Sequence, residues 1–272
     1  MAVQVANIVK GVLGRWKKGK RQSSFPPLTW MQEKILKHQE DKTVKKLNVG
    51  NLKINYIRPY EVLHTYKELF EEEIYRFKSN KQDPFIIDCG ANIGMSVLYF
   101  KSLYPRANII AYEPDADNFS LLQSNISENN LTGVEIKQAA VWIENGSISF
   151  AATGSQGSQI VSDGNQKAVH IKAERLSDLL KSTKVDFLKM DIEGAELDVV
   201  LDCAPYLDNV DHFFVEYHGK VNETEKLEQM LNVLKQKFSV YIKLAADNIA
   251  HPFTDKSTGS SFDVQLNIFC YK

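Results

Sequence analysis

The sequence has little cysteine. Only three occur among 272 residues, and they lie far apart at Cys89, Cys203 and Cys270. So few and so scattered cysteines exclude a disulfide framework or a zinc knuckle, and they are typical of a protein in a reducing compartment. We therefore expect a cytoplasmic protein.

Long hydrophobic runs and an excess of charge are also missing. No apolar stretch approaches the ~18 residues of a membrane-spanning helix, and the first residues lack the continuous apolar segment of a signal peptide. The net charge is −1, which gives no general attraction to nucleic acid. These absences predict a soluble protein that does not bind nucleic acid.

The N-terminus is an exception to this neutral balance. Residues 1–22 carry six basic residues and no acid, with apolar residues at helical spacing, which predicts a basic amphipathic helix. Because one short helix binds lipid only weakly, we favour packing on its own domain or on the second chain of a homodimer over contact with a membrane surface. Residues 23–28, with Pro26 and Pro27, predict a linker.

The most informative segment runs from Phe85 to Gly94. A short apolar run ends in Asp88-Cys89-Gly90-Ala91-Asn92-Ile93-Gly94 and passes into a helical pattern, which predicts a buried parallel strand, a glycine turn and a helix. A glycine at position 90 allows a sharp turn, and one at 94 allows the helix to approach the strand or a ligand closely. This pattern is typical of a nucleotide-binding loop.

An acid follows the next predicted strand, 108–112. Glu113, with Pro114 and Asp115 after it, would lie at the carboxyl end of that strand, where a carboxylate can accept both hydroxyls of a ribose. Asp88 would repel the pyrophosphate of a dinucleotide but attract an ammonium group, and the Walker lysine motif of ATP-binding loops is absent. The sequence therefore favours S-adenosylmethionine over NAD or ATP.

Strands and helices alternate from residue 85 onward, which predicts an α/β fold with a doubly wound, mostly parallel sheet. We expect an N-terminal extension over 1–82, with a helix (29–40), a hairpin (43–57) and a second helix (66–78), followed by a cofactor-binding domain over 83–272. The predicted strands are 85–88, 108–112, 134–141, 147–151, 185–190, 211–217, 239–244 and 263–271. The predicted helices of this domain are 93–104, 116–129, 194–203 and 223–237.

Polar residues also follow the later strands. Lys189, Asp191 and Glu193 stand at the end of strand 185–190, and Glu216 and His218 share one face at the end of strand 211–217. A histidine that titrates near neutral pH can take a proton from an alcohol during methyl transfer. Purely structural roles stay open, namely an N-cap for Asp191 and an ion pair for Lys189.

The same ends of the strands could hold a metal. Asp191, Glu193, Glu216 and His218 are ligands suited to one divalent ion. We rank this interpretation below the metal-free one, because the sequence gives no distances between these side chains.

Four blocks in this order resemble the FkbM family of class I S-adenosylmethionine-dependent methyltransferases. They are Ile86–Gly94, Tyr112–Asp115 with Asn118, Phe119, Asn125 and Asn129, then Ala139–Trp142, and Leu188–Glu196. The resemblance spans about residues 60–219. It implies a Rossmann-like, seven-stranded sheet and methyl transfer, usually to a hydroxyl oxygen of a sugar, glycan or natural product.

The resemblance also implies roles for individual residues. Asp88, Gly90, Ala91, Asn92 and Gly94 would surround the methionine part of the cofactor. Glu113, Pro114 and Asp115 would lie at the ribose, and Ala140, Val141 and Trp142 near the adenine. Apart from the resemblance, we expect Asp191 or His218 to take the proton, with Lys189, Glu193 and Glu216 holding the site. Two alternatives are a non-catalytic cofactor-binding partner in a biosynthetic assembly and, less favoured, an NAD-dependent oxidoreductase.

Overall fold

The computed structural model describes residues 23–151, 159–160, 169–246, 249, 251–255 and 262–272. The basic helix predicted over residues 1–22 lies outside the described residues. Among those that are described, no helix combines the length and the apolar character that crossing a membrane requires.

The described elements are as follows, in chain order. The strands are β1 (Lys45–Val49), β2 (Leu52–Tyr56), β3 (Phe85–Cys89), β4 (Asn108–Tyr112), β5 (Val134–Lys137), β6 (Ala140–Trp142), β7 (Gly146–Ala151), β8 (Gln159–Ile160), β9 (Val169–Arg175), β10 (Val185–Met190), β11 (Val210–Gly219), β12 (Ser239–Ala246) and β13 (Val264–Tyr271). The α-helices are α1 (Trp30–His38), α2 (Pro59–Tyr66), α3 (Met95–Leu103), α4 (Ala116–Glu128), α5 (Leu176–Leu180), α6 (Glu196–Cys203) and α7 (Thr224–Leu234).

A seven-stranded sheet organises the larger part of the chain, in the order β12-β13-β11-β10-β3-β4-β5. The five strands from β11 to β5 are parallel, and β13 runs antiparallel to both of its neighbours. This arrangement confirms the predicted α/β fold with a doubly wound, mostly parallel sheet. The strand order reverses between β3 and β10, and ligands of such sheets bind outside the carboxyl ends of the strands at that point.

The sheet is held by a core of apolar side chains. All six residues of β10 are buried, and Leu188 and Met190 pack in one cluster with Val199 and Val200 of α6 and Phe213 of β11. Burying a side chain of this size stabilises the fold by roughly 1.5–3 kcal/mol. The core therefore fixes the strand ends that carry the polar residues.

The segment predicted as one strand, 134–141, is divided between two sheets. β5 pairs with β4 only as far as Lys137 opposite Tyr112, where β4 ends. β6 then pairs in parallel with β9, in a four-stranded sheet of order β6-β9-β7-β8. The single-strand prediction was wrong because the partner strand ends at Tyr112.

The prediction of a helix over residues 66–78 was also wrong. The helix begins earlier, at Pro59, a residue favoured in the first helical turn, and continues as a π-helix over Lys67–Glu71. Glu73 then has φ of +52°, which a continuing right-handed helix does not allow.

The described chain divides into two compact units. One contains residues 23–41 and 58–74, and the other contains residues 42–57 and the residues from 75 onward. The hairpin of β1 and β2 thus packs with the larger unit, where the amide of Asn125 in α4 bonds both the N–H and the carbonyl oxygen of Asn55. The boundary between residues 82 and 83 stays a prediction.

Candidate functional site

The first loop of the site follows β3. Gly90 has φ of +84°, and a Cβ there would lie 1.8 Å from the carbonyl oxygen of Asp191. The N–H groups of Gly90 and Ala91 both donate to the carbonyl oxygen of Tyr112, at 3.0 and 2.8 Å. Only glycine fits at position 90, and the turn is fixed against the end of β4.

Glu113 connects this loop to the next one. Its carboxylate accepts hydrogen bonds from the N–H of Asn92 at 2.7 Å and of Asp115 at 2.9 Å. Asn92 has φ of +49°, an uncommon conformation for a residue with a side chain. Burial raises the pKa of Glu113 to about 7, although the two N–H groups act to lower it. The two loops thus meet at one buried carboxyl group.

Asp88 is completely buried and interacts with two side chains. One oxygen accepts a hydrogen bond from the Ser96 hydroxyl in the first turn of α3, and the other lies 3.3 Å from the ammonium of Lys189. Lys189 also lies 3.3 Å from Asp191. Burial lowers the pKa of Lys189, but the two carboxylates outweigh it and hold that pKa well above its usual range. The structure thus places the predicted Asp88 and Lys189 in one buried ion pair.

Two predicted cofactor-binding residues have clear packing roles. Gly94 is the N-cap residue before α3 and has φ of +86°, and a Cβ there would meet Leu122 of α4 at 2.5 Å. Asp115 caps α4 by accepting hydrogen bonds from the N–H groups of Asp117 and Asn118. The close approach at Gly94 therefore joins two helices, and contacts of both residues with a cofactor remain predictions.

The second loop of the site joins β10 to α6. Glu193 has φ of +56° and Gly194 has φ of +100°, so the chain turns through two consecutive left-handed positions. The carboxylate of Glu196 accepts hydrogen bonds from the N–H groups of Ile192 and Gly194. A non-glycine residue in this conformation costs on the order of 1 kcal/mol or more, and such residues cluster at functional sites.

His218 stands among carboxylates at the end of β11. Its Nδ1 lies 3.1 Å from Glu196, and its Nε2 lies 3.7 Å from Glu193 and 3.8 Å from Glu216. The predicted catalytic residues Lys189, Asp191, Glu193, Glu216 and His218 are therefore brought together.

The protonation of His218 differs from the expected titration near neutral pH. Burial acts to lower its pKa, but the carboxylates of Glu196 and Glu193 outweigh burial and raise that pKa to about 10. Burial also raises the pKa of Glu193, against the opposing effect of His218. At neutral pH the imidazole therefore holds its proton in this arrangement and is not a free base.

A cavity of about 290 Å³ opens beside this group. Aromatic and charged side chains line it together. They are Trp142, Tyr217, Phe262, His218, Glu193, Glu196, Asp198, Glu223, Lys220 and Lys226. Such a mixture of aromatic surface and converging polar groups is typical of a small-molecule site.

The residues predicted at the adenine lie on β6. Ala140 and Val141 are buried, and Val141 belongs to the apolar core together with Cys89 and Tyr112. Trp142 lines the cavity near His218. Contact of these three residues with an adenine stays a prediction.

Sequence reasoning missed the roles of Ser96 and Glu196. The carboxylate of Glu196 lies 3.1 Å from Nδ1 of His218, which is 22 residues away in the sequence, and no local pattern indicates that contact. Ser96, whose hydroxyl donates to Asp88, lies two residues after Gly94. A hydroxyl residue in the first helical turn after a glycine loop is the sequence signal for this contact.

The chain is similar in sequence to known methyltransferases. Residues 88–240 match the family model described as the methyltransferase FkbM domain. Methyltransferase 1 of Beauveria bassiana (strain ARSEF 2860) is 32% identical over 165 residues, covering 52% of this chain and 66% of that protein. The hexuronic acid methyltransferase AglP of Haloferax volcanii is 26% identical over 159 residues, covering 56% of this chain and 64% of that protein.

A solved structure supports the fold. The methyltransferase FkbM from Methylobacillus flagellatus KT superposes with a TM-score of 0.50 at 16% identity, covering 75% of this chain and 47% of that one. The aligned part of this chain thus spans less than two thirds of the length of each of these three proteins.

Proposed function

Because the chain belongs to the FkbM methyltransferase family, we propose that it transfers the methyl group of S-adenosylmethionine to a hydroxyl oxygen of a sugar, glycan or natural product. The proposal places the reaction in the cytoplasm. The glycine turn after β3 and Glu113 support binding of the cofactor, and the group around His218 supports binding of the acceptor.

The observation that carries the proposal is the position of Glu113. Its carboxylate lies at the carboxyl end of β4, beside the glycine turn that follows β3. It accepts one backbone N–H hydrogen bond from each of the two loops. A carboxylate at this edge of a doubly wound sheet is suited to accept the two hydroxyls of a ribose. The ribose of S-adenosylmethionine would thus bind at Glu113, with the methionine part along Asp88–Gly94.

The acceptor would enter through the cavity beside His218. Transfer to a hydroxyl needs alignment of the oxygen with the methyl carbon and removal of the hydroxyl proton. Asp191, whose side chain is 27% exposed, is the better proton acceptor of the two predicted candidates. His218 keeps its own proton beside Glu196, so it would position the acceptor.

A hydroxyl-rich acceptor agrees with the lining of the cavity. Trp142, Tyr217 and Phe262 offer flat apolar surface, and the charged groups around them offer hydrogen bonds. AglP of Haloferax volcanii, which the chain resembles, is a methyltransferase that acts on a hexuronic acid. We infer a sugar or a similarly hydroxylated ring as the acceptor class.

Calorimetric titration tests the proposal. S-adenosylmethionine and S-adenosylhomocysteine should bind to the purified chain and NAD should not, and Glu113→Ala should lose both ligands. Asp117→Ala is the matched control, because Asp117 is an exposed acid in the first turn of α4. Binding of NAD would favour an oxidoreductase.

Activity is tested by incubating the chain with methyl-labelled S-adenosylmethionine and a panel of free sugars and glycosides. Transfer of label to an acceptor supports the methyltransferase. Cofactor binding without transfer to any acceptor would favour the non-catalytic binding partner.

A further inference from the structure

The group around His218 has the spacing of a metal site. Ligand atoms of Asp191, Glu193 and His218 all lie within 4.8 Å of one another. Ligands at ~2.1 Å from an octahedral ion lie roughly 3 Å apart when adjacent and roughly 4.2 Å apart when opposite. Three ligands of one ion include at least two adjacent pairs, so Nε2 of His218 and the carboxylate oxygen of Glu193, which lie 3.7 Å apart, would need to approach by roughly 0.7 Å to bind the ion side by side.

The orientation of the His218 imidazole also supports a metal site. Its Nδ1 lies 3.1 Å from Glu196, a carboxylate that two backbone N–H groups also hold in place. A carboxylate on Nδ1 fixes the imidazole so that Nε2 faces the ligand position, which is the usual arrangement behind a metal-binding histidine. Here Nε2 is the atom that faces Glu193 and Glu216.

A separate observation comes from β13. Asn267 is 4% exposed, and its Oδ1 has no hydrogen-bond partner among the described residues. It stands directly opposite Glu216 in the antiparallel pair of β11 and β13, so the two side chains share the face that also carries His218. A buried amide oxygen without a partner is costly, and an oxygen-binding cation nearby would satisfy it.

We propose that Asp191, Glu193 and His218 bind one divalent metal ion beside the cavity, with Glu216 and Asn267 as the further oxygen ligands that the sheet places next to them. One imidazole among oxygen ligands, with no thiolate in the group, suits Mn²⁺ or Mg²⁺. The ion would replace the Nε2 proton that His218 holds in the metal-free chain, while Nδ1 keeps its proton toward Glu196, and it would neutralise the carboxylates of the group.

The role of the ion rests on the proposed function, but its binding does not. An ion at this position would bind the acceptor hydroxyl and lower its pKa, which makes the oxygen a better nucleophile at neutral pH. The cofactor-binding loops after β3 and β4 contribute none of these ligands, so the metal and the cofactor can be tested independently.

The site is tested by titrating the full chain with Mn²⁺ and monitoring the bound ion by electron paramagnetic resonance. We expect one Mn²⁺ per chain, with a nitrogen coupling from the imidazole in the pulsed spectrum. His218→Gln should remove the nitrogen coupling, and Glu193→Gln should weaken binding by about tenfold or more. Glu196→Gln, which changes the support of His218 but none of the proposed ligands, should weaken binding by roughly 10- to 100-fold.

Glu228→Gln is the matched control, because Glu228 is an exposed acid on α7 outside the group, and it should bind Mn²⁺ like the wild type. Retained S-adenosylhomocysteine binding shows that each variant is folded. The absence of a stoichiometric Mn²⁺ site in the wild type, or a site that Glu193→Gln and His218→Gln leave unchanged, would overturn the proposal. Failure of the wild type to bind S-adenosylhomocysteine would contradict the proposed function and leave the Mn²⁺ result to be judged by its own spectrum.

Discussion

The ammonium of Lys189 lies 3.3 Å from a carboxylate oxygen of Asp88, and both side chains are almost fully buried. Removing one member of a buried ion pair leaves an uncompensated charge, which typically costs 3–5 kcal/mol. We therefore expect Lys189→Met to lower the free energy of unfolding by about 3–5 kcal/mol in urea denaturation. Adding Asp88→Asn to that variant should restore part of the loss.

The control for this prediction is a surface pair. Lys237 lies 2.6 Å from Asp208, and Asp208 is 66% exposed. Lys237→Met should cost less than about 1 kcal/mol, because water screens exposed pairs. Equal losses in Lys189→Met and Lys237→Met would contradict the argument that burial makes the pair of Lys189 and Asp88 strong.

Gly90→Ala should be severely destabilising. The new Cβ would lie 1.8 Å from the carbonyl oxygen of Asp191, at a φ of +84° that side chains disfavour. We expect a loss of about 3 kcal/mol or more, since backbone must move in both loops of the site. Gly146→Ala separates the two causes, because φ there is +148° and nothing lies within 4 Å of the new Cβ. Gly146→Ala should therefore be the milder change in urea denaturation, and the reverse order would reject this explanation.

The pair of His218 and Glu196 predicts a pH dependence of stability. The pKa of His218 is about 10 in the folded chain and about 6.5 in an unfolded one. A raised pKa stabilises the fold fully below pH ~6.5, and the stabilisation is lost as the pH rises toward 10. In EDTA we expect the free energy of unfolding to fall by on the order of 3 kcal/mol between pH 7 and 10.

Glu196→Gln identifies the source of that slope. It removes the carboxylate that raises the pKa of His218, so the fall in stability between pH 7 and 10 should become much smaller. Glu228→Gln should keep the slope of the wild type. If Glu196→Gln and the wild type lose stability in parallel over this range, the slope comes from other groups.

The sheet and the strand ends could be predicted from the sequence. The apolar run that opens β3 is buried from Ile86 onward, as its composition predicts for a central strand. Alternation then places Glu216 and His218 on one face. Lys189, Asp191, Glu193, Glu216 and His218 were therefore predicted together.

What the sequence could not predict depends on contacts between distant segments. The strand predicted over 134–141 breaks after Lys137 because its partner β4 ends at Tyr112. The residues of 134–141 carry no information on where that partner ends. The role of Glu196 depends on its distance from His218. The protonation of His218 likewise follows from burial and from carboxylates on two elements, and spacing in the sequence carries no information on either.

Glu113 predicts how cofactor binding depends on pH. Burial raises its pKa to about 7 in the free chain, whereas ribose hydroxyls that donate to it would favour the ionised form. Binding therefore requires loss of a proton below pH 7, and the affinity for S-adenosylhomocysteine should be roughly tenfold weaker at pH 6 than at pH 8.

In calorimetry, Glu113→Gln should bind more weakly by roughly 10-fold or more and show no such change between the two pH values. Asp117→Asn, which changes an exposed acid in the first turn of α4, should keep the pH dependence of the wild type. A wild-type affinity that is constant from pH 6 to 8, or a dependence that survives Glu113→Gln, would mean that the ribose hydroxyls do not bind this carboxylate.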